Sequence, residues 1–345
     1  MNERRIKVGV IGCGAIAQRR HLPEYRERKD VEIIAVCDFH LSRAKEVSEM
    51  FGVKNAYDRH EQLLADKEIE AVSICTPNHL HAALSIEAMK AGKHVLCEKP
   101  MAVTLEQAEA MVRSAEENGV FLMVGHNQRL MPVHQKAKQI LQEGSLGKVL
   151  SFQTVFGHSG PENWSVDGEK SWFFQKEAAI IGAMGDLGVH KVDLIRWLLA
   201  DEIIEVSAVY GSLHKTMTID DHAILILKTQ NGALGTVTAS WTYYPNEVNH
   251  ILFYCEKGTM KIGTDPEFGV IVEHIDGRRD QYHLDKIQTN GMDSQLNSGV
   301  IDHFIQGIVS KKGPEINGEE GLKALKVIVA AIKSADTGST IKITN

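Results

Sequence analysis

Between Ile6 and Gly125, short β-branched and apolar runs alternate with stretches whose apolar positions recur every third or fourth residue. The runs are Ile6 to Ile11, Val31 to Cys37, Ala71 to Cys75, His94 to Cys97 and Val120 to Val124. The periodic stretches are Ile16 to Glu27, Ser42 to Met50, His79 to Lys90 and Leu105 to Glu117. Apolar strands bounded by such helices predict βαβ units, whose parallel sheet is buried on both faces. Residues 1–127 are therefore expected to form a doubly wound α/β domain.

After Gly125 the pattern changes. A helix near Pro132 to Glu143 leads into a strand at Val149 to Phe156, a long loop from Gly157 to Ala183, and a helix over Asp186 to Leu199. Closely spaced strands are then predicted around Ile204 to Leu213, His222 to Lys228, Ala233 to Tyr243, His250 to Cys255, Met260 to Ile262, Val270 to His274 and Gln281 to Leu284. Gln230-Asn231-Gly232 and Asp276-Gly277 read as hairpin turns, so this sheet should be mostly antiparallel. Helices at about Ser294 to Ser310 and Gly318 to Ser334, and a strand at Thr340 to Ile343, complete the expected second domain, residues 128–345.

Composition narrows the class without changing that layout. The 345 residues are 43% hydrophobic and 24% charged, as in ordinary globular chains. The net charge of −7 carries no basic stripe of the kind that nucleic acid requires. No apolar run approaches the ~18 residues of a membrane span, and no secretory h-region precedes Ile6, so a cytoplasmic protein without membrane partners is expected. The five cysteines contain no C-x-x-C pair and read as buried thiols in a reducing compartment.

Gly12-Cys13-Gly14-Ala15-Ile16-Ala17 follows the first strand and opens the first helix, matching G-x-G-x-x-A. Gly12 permits the turn, Gly14 lets a pyrophosphate approach, and the helix start around Ala15 and Ile16 faces the anion. Asp38, ending the second strand, can accept hydrogen bonds from the adenosine ribose and repel a 2′-phosphate, which favours NAD over NADP, while His40 and Arg43 close by leave room for some use of NADP; Asp38 could instead cap the helix near Ser42. Thr76, Pro77, Asn78 and His81 follow the third strand, and Glu98 and Lys99 the fourth, so all should border the cofactor crevice. Cys75, His79 and His81 lack a fourth ligand, and no metal is expected.

Lys99 can hydrogen-bond and polarise a substrate oxygen, with Pro100 stiffening its turn. Asp186 and His190 stand four apart on a predicted helix, where a histidine can exchange a proton with an alcohol and a carboxylate can orient it. The same pair could bind a metal, or Asp186 could be an N-cap with His190 packed inside.

Taken together, the glycine turn, Glu98-Lys99-Pro100 and the Asp186 to His190 segment resemble the glucose-fructose oxidoreductase/inositol dehydrogenase (Gfo/Idh/MocA) family over nearly the whole chain. The resemblance implies a Rossmann domain followed by an α/β domain with a large, open, mostly antiparallel sheet that supports homodimers or homotetramers. It also implies oxidation of a secondary alcohol of a sugar or cyclitol, or the reverse reduction, with Lys99 and His190 as catalytic pair and Asp186 as polar partner. Asn127, Arg129, Trp172, Tyr243 and Tyr244 are candidate substrate contacts. Many members carry Arg after the tryptophan matching Trp172, whereas this chain has Phe173. Two other readings stay open: a redox-neutral glycosidase that uses NAD transiently, and a non-catalytic dinucleotide-binding sugar regulator.

Overall fold

The computed structural model describes residues 4–179, 181–215, 217–284 and 297–344. Its chain gathers into two compact units, one built on a parallel sheet and one on a mostly antiparallel sheet.

The first sheet holds β1 (Ile6–Ile11), β2 (Val31–Cys37), β3 (Asn55–Tyr57), β4 (Ala71–Ile74), β5 (His94–Cys97) and β6 (Leu122–Val124). They lie in the order β3-β2-β1-β4-β5-β6, all parallel. β1, β4, β5 and β6 are almost wholly buried, which is why they read as predominantly apolar runs. The order reverses between β1 and β4, and such a switch point opens a ligand crevice beyond the strands' carboxyl ends.

Two elements of this unit were missed. β3 and the five-residue helix His60–Leu64 are too short to display a period. The helix expected over Ile16 to Glu27 is also not uniform: Ala17–His21 is π-helical and only Leu22–Glu27 is α-helical. Pro23 accounts for the change, because its ring would collide with the carbonyl four residues back in a regular helix. The widened turn lets Leu22 N–H reach Ala17 O, five residues back.

The first unit comprises Met1–His126, Trp164–Trp172 and the described part of Asn290–Leu322. Arg43 pairs with Asp167, Glu24 accepts the Ser298 N–H at 2.8 Å, and Val124 N–H donates to Ile316 O at 3.0 Å. The helix expected from Ser294 runs Val300–Ser310, residues 294–296 lying outside the described residues.

The second sheet holds β7 (Val149–Gly157), β8 (Ile203–Gly211), β9 (His222–Thr229), β10 (Leu234–Ser240), β11 (Val248–Cys255), β12 (Gly258–Ile262), β13 (Val270–His274), β14 (Arg279–Tyr282) and β15 (Ile341–Lys342). Their order is β14-β13-β12-β11-β7-β10-β9-β8-β15, antiparallel except for the β7–β10 pair. Strand β9 shows the two faces: Ala223, Leu225 and Leu227 are buried while Ile224 and Ile226 are exposed. The inner face packs against the helices Pro132–Glu143 and Val189–Leu199 and against Ala324, Val327, Ile328 and Ala331 of the helix Gly318–Thr337.

Candidate active site

Gly12 leaves β1 with φ +94°, and a Cβ there would lie 2.4 Å from the Cys75 carbonyl oxygen beyond β4. Only glycine fits, because both the conformation and the neighbouring backbone exclude a side chain. At Gly14 a Cβ would meet nothing within 4 Å, which leaves room beside the backbone for a phosphate group. Buried Thr76 Oγ1 has no hydrogen-bond partner among the described residues. This cradle, with its open glycine and orphaned hydroxyl, fits a dinucleotide.

Asp38 does not cap the helix Leu41–Phe51, whose N-cap is His40 with no side-chain bond. Its Oδ2 accepts the Cys13 N–H and its Oδ1 the His40 N–H, each at 2.9 Å. These bonds fix a carboxylate beside the glycine turn, with its remaining lone pairs available to ribose hydroxyls. His81 is buried, with Nδ1 2.7 Å from Pro100 O and Nε2 2.8 Å from Thr76 O. Burial pushes its pKa below the usual histidine value. Its ring ties the loop after β4 to the loop after β5, a positioning role. Asn78 is buried in the short turn Asn78–Leu80 beside them.

Behind Lys99 lies a buried polar chain that sequence reasoning missed. Tyr25 Oη and His21 Nδ1 each lie 2.9 Å from Ser73 Oγ, and His21 Nε2 lies 2.9 Å from Glu98 Oε1. Glu98 Oε2 in turn accepts the Lys99 N–H at 3.2 Å. Burial acts against charge on both partners, yet Cys75 and Glu98 raise the His21 pKa well above normal, and His21 and Lys99 hold Glu98 below the usual carboxylate value. The π-helical turn delivers His21 to this place; a histidine four residues after Ala17 was the available signal.

In the second unit, Asp186 lies within a π-helical turn, Met184–Gly188, and His190 in the first turn of the following helix Val189–Leu199. Both are buried, at 6% and 8% exposure. The expected regular helix over Asp186 to Leu199 thus begins as a widened turn, a distortion common at functional sites. Asp220 anchors its start by accepting the Gly182 and Met184 N–H groups, both at 2.7 Å. A Cβ at Gly182 would sit 1.8 Å from Asp220 O, so the approach requires glycine. Asp186 Oδ2 accepts the indole N–H of Trp241 at 3.1 Å, and the His190 ring centroid lies 6.0 Å from that of Phe156.

The candidate substrate contacts divide. Asn127 opens the turn Asn127–Leu130, and its buried Oδ1 has no hydrogen-bond partner among the described residues. Arg129 is instead locked in a buried fork with Asp193, at 2.8 and 2.5 Å, which gives it a structural task. Tyr243 covers Gly157, where a Cβ would lie 2.5 Å from its ring. Tyr244 is half exposed and donates to Ser159 O at 3.1 Å. Trp172 starts the short turn Trp172–Phe174, whose Phe173 packs edge-on against Trp241, at 6.3 Å between ring centroids. Phe173 thus has a packing role.

The doubly wound strand order and the glycine cradle at its switch point define a dinucleotide-binding protein. Residues 6–126 match the family model for the Gfo/Idh/MocA oxidoreductases with an NAD-binding Rossmann fold, and residues 134–261 match the C-terminal domain of that family. Levoglucosan dehydrogenase of Pseudarthrobacter phenanthrenivorans is 33% identical over 272 residues, covering 68% of this chain and 67% of its own. Myo-inositol 2-dehydrogenase of Thermotoga maritima is 27% identical and covers 98% of both chains. The solved structure of levoglucosan dehydrogenase with NADH and levoglucosan superposes with a TM-score of 0.86 at 25% identity, over 99% of this chain and 100% of that one. The chain belongs to the Gfo/Idh/MocA family and is an NAD-dependent oxidoreductase. Among the described residues no helix is long and apolar enough to cross a membrane.

Proposed function

We propose that this protein oxidises a secondary alcohol of a sugar or cyclitol, with residues 1–127 holding NAD and residues 128–345 recognising the substrate. The observation that carries this reading is the buried Asp186 carboxylate, pinned by Trp241 on the turn that leads into His190. Bound nicotinamide supplies the hydride acceptor. His190 takes the hydroxyl proton, Lys99 polarises the reacting oxygen, and Asp186 orients the substrate or the histidine. Gly12, Gly14, Ala15, Ile16, Asp38, Thr76, Pro77, Asn78 and Glu98 shape the cofactor site, with His81 steadying two of its loops. Asn127, Trp172, Tyr243 and Tyr244 are proposed for the substrate side.

The outer face of the second sheet carries exposed Leu150, Val209, Ile224, Ile226 and Leu234. Such an apolar surface supports a homodimer or homotetramer formed through that sheet. A panel of sugars, anhydrosugars and cyclitols, read by NADH absorbance, tests the activity. Dehydrogenation yields stoichiometric NADH, whereas glycoside cleavage without net NADH, or no turnover with any substrate, would overturn it.

A further inference from the structure

Arg43 lies in the first turn of the helix Leu41–Phe51, next to the point where Asp38 leaves β2. Its guanidinium has a carboxylate on either side. One terminal nitrogen is 2.6 Å from Asp167 Oδ1, and the other is 4.0 Å from Asp38 Oδ1. Asp167 follows Arg43 by 124 residues and comes from the segment Trp164–Trp172, which packs within the same compact unit.

In dinucleotide-binding folds, an arginine beside the ribose acid is the group that receives the 2′-phosphate of NADP. Arg43 has the position and the charge to do so. Here, however, one cation faces two carboxylates, and one of its terminal nitrogens donates to Asp167. An incoming 2′-phosphate would have to displace Asp167 from the guanidinium and would then meet repulsion from both acids. Arg43 is 25% exposed and Asp167 35%, so the pair adds little to folding stability; what it changes is the local charge that a ligand meets.

We propose that Asp167 is a second cofactor-specificity residue: by occupying Arg43 it withholds that guanidinium from a 2′-phosphate and holds the site to NAD. The proposal rests on reading the glycine turn and Asp38 as the adenosine end of an NAD site. It assigns to a loop outside the βαβ run a part of the discrimination that Asp38 would otherwise carry alone.

The test is direct titration of the purified full-length protein with NADH and with NADPH, followed by nicotinamide fluorescence in the absence of substrate. The wild type should bind NADH in preference to NADPH. In Asp167→Asn and Asp167→Ala the NADPH-to-NADH affinity ratio should rise about two- to fivefold, the scale on which a partly exposed ion pair acts. Adding Arg43→Met to Asp167→Asn should remove that gain, because the freed guanidinium is its source.

An unchanged ratio in both Asp167 variants, or an equal loss of both ligands, would overturn the proposal while wild-type NADH binding kept the NAD reading intact. Retention of the gain in the double variant would also overturn it, since removal of negative charge alone would then suffice. If the wild type bound neither dinucleotide, the NAD reading itself would fail.

Discussion

Trp241 donates its indole N–H to Asp186 Oδ2 across 3.1 Å, joining the residue just beyond β10 to the π-helical turn before His190. The rings of Phe173 and Phe174 stand edge-on to the same indole, at 6.3 and 6.2 Å, so the loop residues and the carboxylate share one support. Replacing Trp241 by Phe keeps much of the packing and removes the donor. A hydrogen bond to a charged group is worth about 1.5–3 kcal/mol, so kcat/KM for the alcohol should fall by about tenfold or more. NADH affinity should stay close to wild type. Unchanged turnover would show that Asp186 holds its orientation without the indole.

Substitution of His190 by Ala tests the proton transfer itself. Positioned acid-base groups contribute about 100-fold or more to rate, so kcat should fall by at least that factor. NADH titration of the same variant should give an affinity near that of the wild type. Retained turnover would remove His190 from the proposed mechanism.

Much of the layout could be read from the chain because it follows from periodicity. Buried parallel strands are mostly apolar runs, β9 alternates with period two, and Gly12 and Asp38 sit at fixed places relative to β1 and β2. What escaped has no local signature. Trp241 and Asp186 are 55 residues apart, His21 and Glu98 are 77 apart, and each is an ordinary residue until the fold brings its partner. Arg129 shows the converse: its place at the domain junction suggested a ligand contact, but Asp193, 64 residues away, takes its guanidinium. The sequence predicts regular helix at both π-helical turns, since propensity does not distinguish the two.

The buried pair of His21 and Glu98 should leave a distinct pH signature in stability. The Glu98 pKa is depressed from 4.5, so its contribution is present above that value and lost as pH falls through the folded pKa. The His21 pKa is raised from 6.5, so its contribution is complete below that value and lost as pH rises through the folded pKa. The pair therefore contributes most between these two reference values. Replacing His21 by Leu removes one partner of the part-buried Glu98 carboxylate, which keeps the Lys99 N–H, at a cost of about 1–3 kcal/mol. Urea unfolding at several pH values should give the largest gap between wild type and variant in that window. A gap that did not change with pH would show that His21 acts by shape alone.

Lys191 is fully buried, with Nζ 2.5 Å from Asn249 Oδ1 and 5.5 Å from the centroid of the Phe156 ring. Burial pushes its pKa down from 10.5 to about 7, against a smaller opposing pull from Glu247. The nearby His134 and His250 are themselves pushed down, first by burial and then by this lysine. Above the reference value both folded and unfolded chains carry a neutral amine, and the lysine costs nothing. Between there and about 7 the unfolded chain binds a proton that the folded chain refuses, so stability falls as pH falls, and below that range the penalty is constant. Lys191→Met keeps the length of the side chain, removes the charge and gives up the bond to Asn249. After that loss, it should stabilise the protein by about 1–3 kcal/mol at neutral pH and below. Thermal or urea unfolding at pH 6, 8 and 10 should show the advantage shrinking as pH rises, whereas an advantage equal at all three would locate the effect in packing rather than in the buried charge.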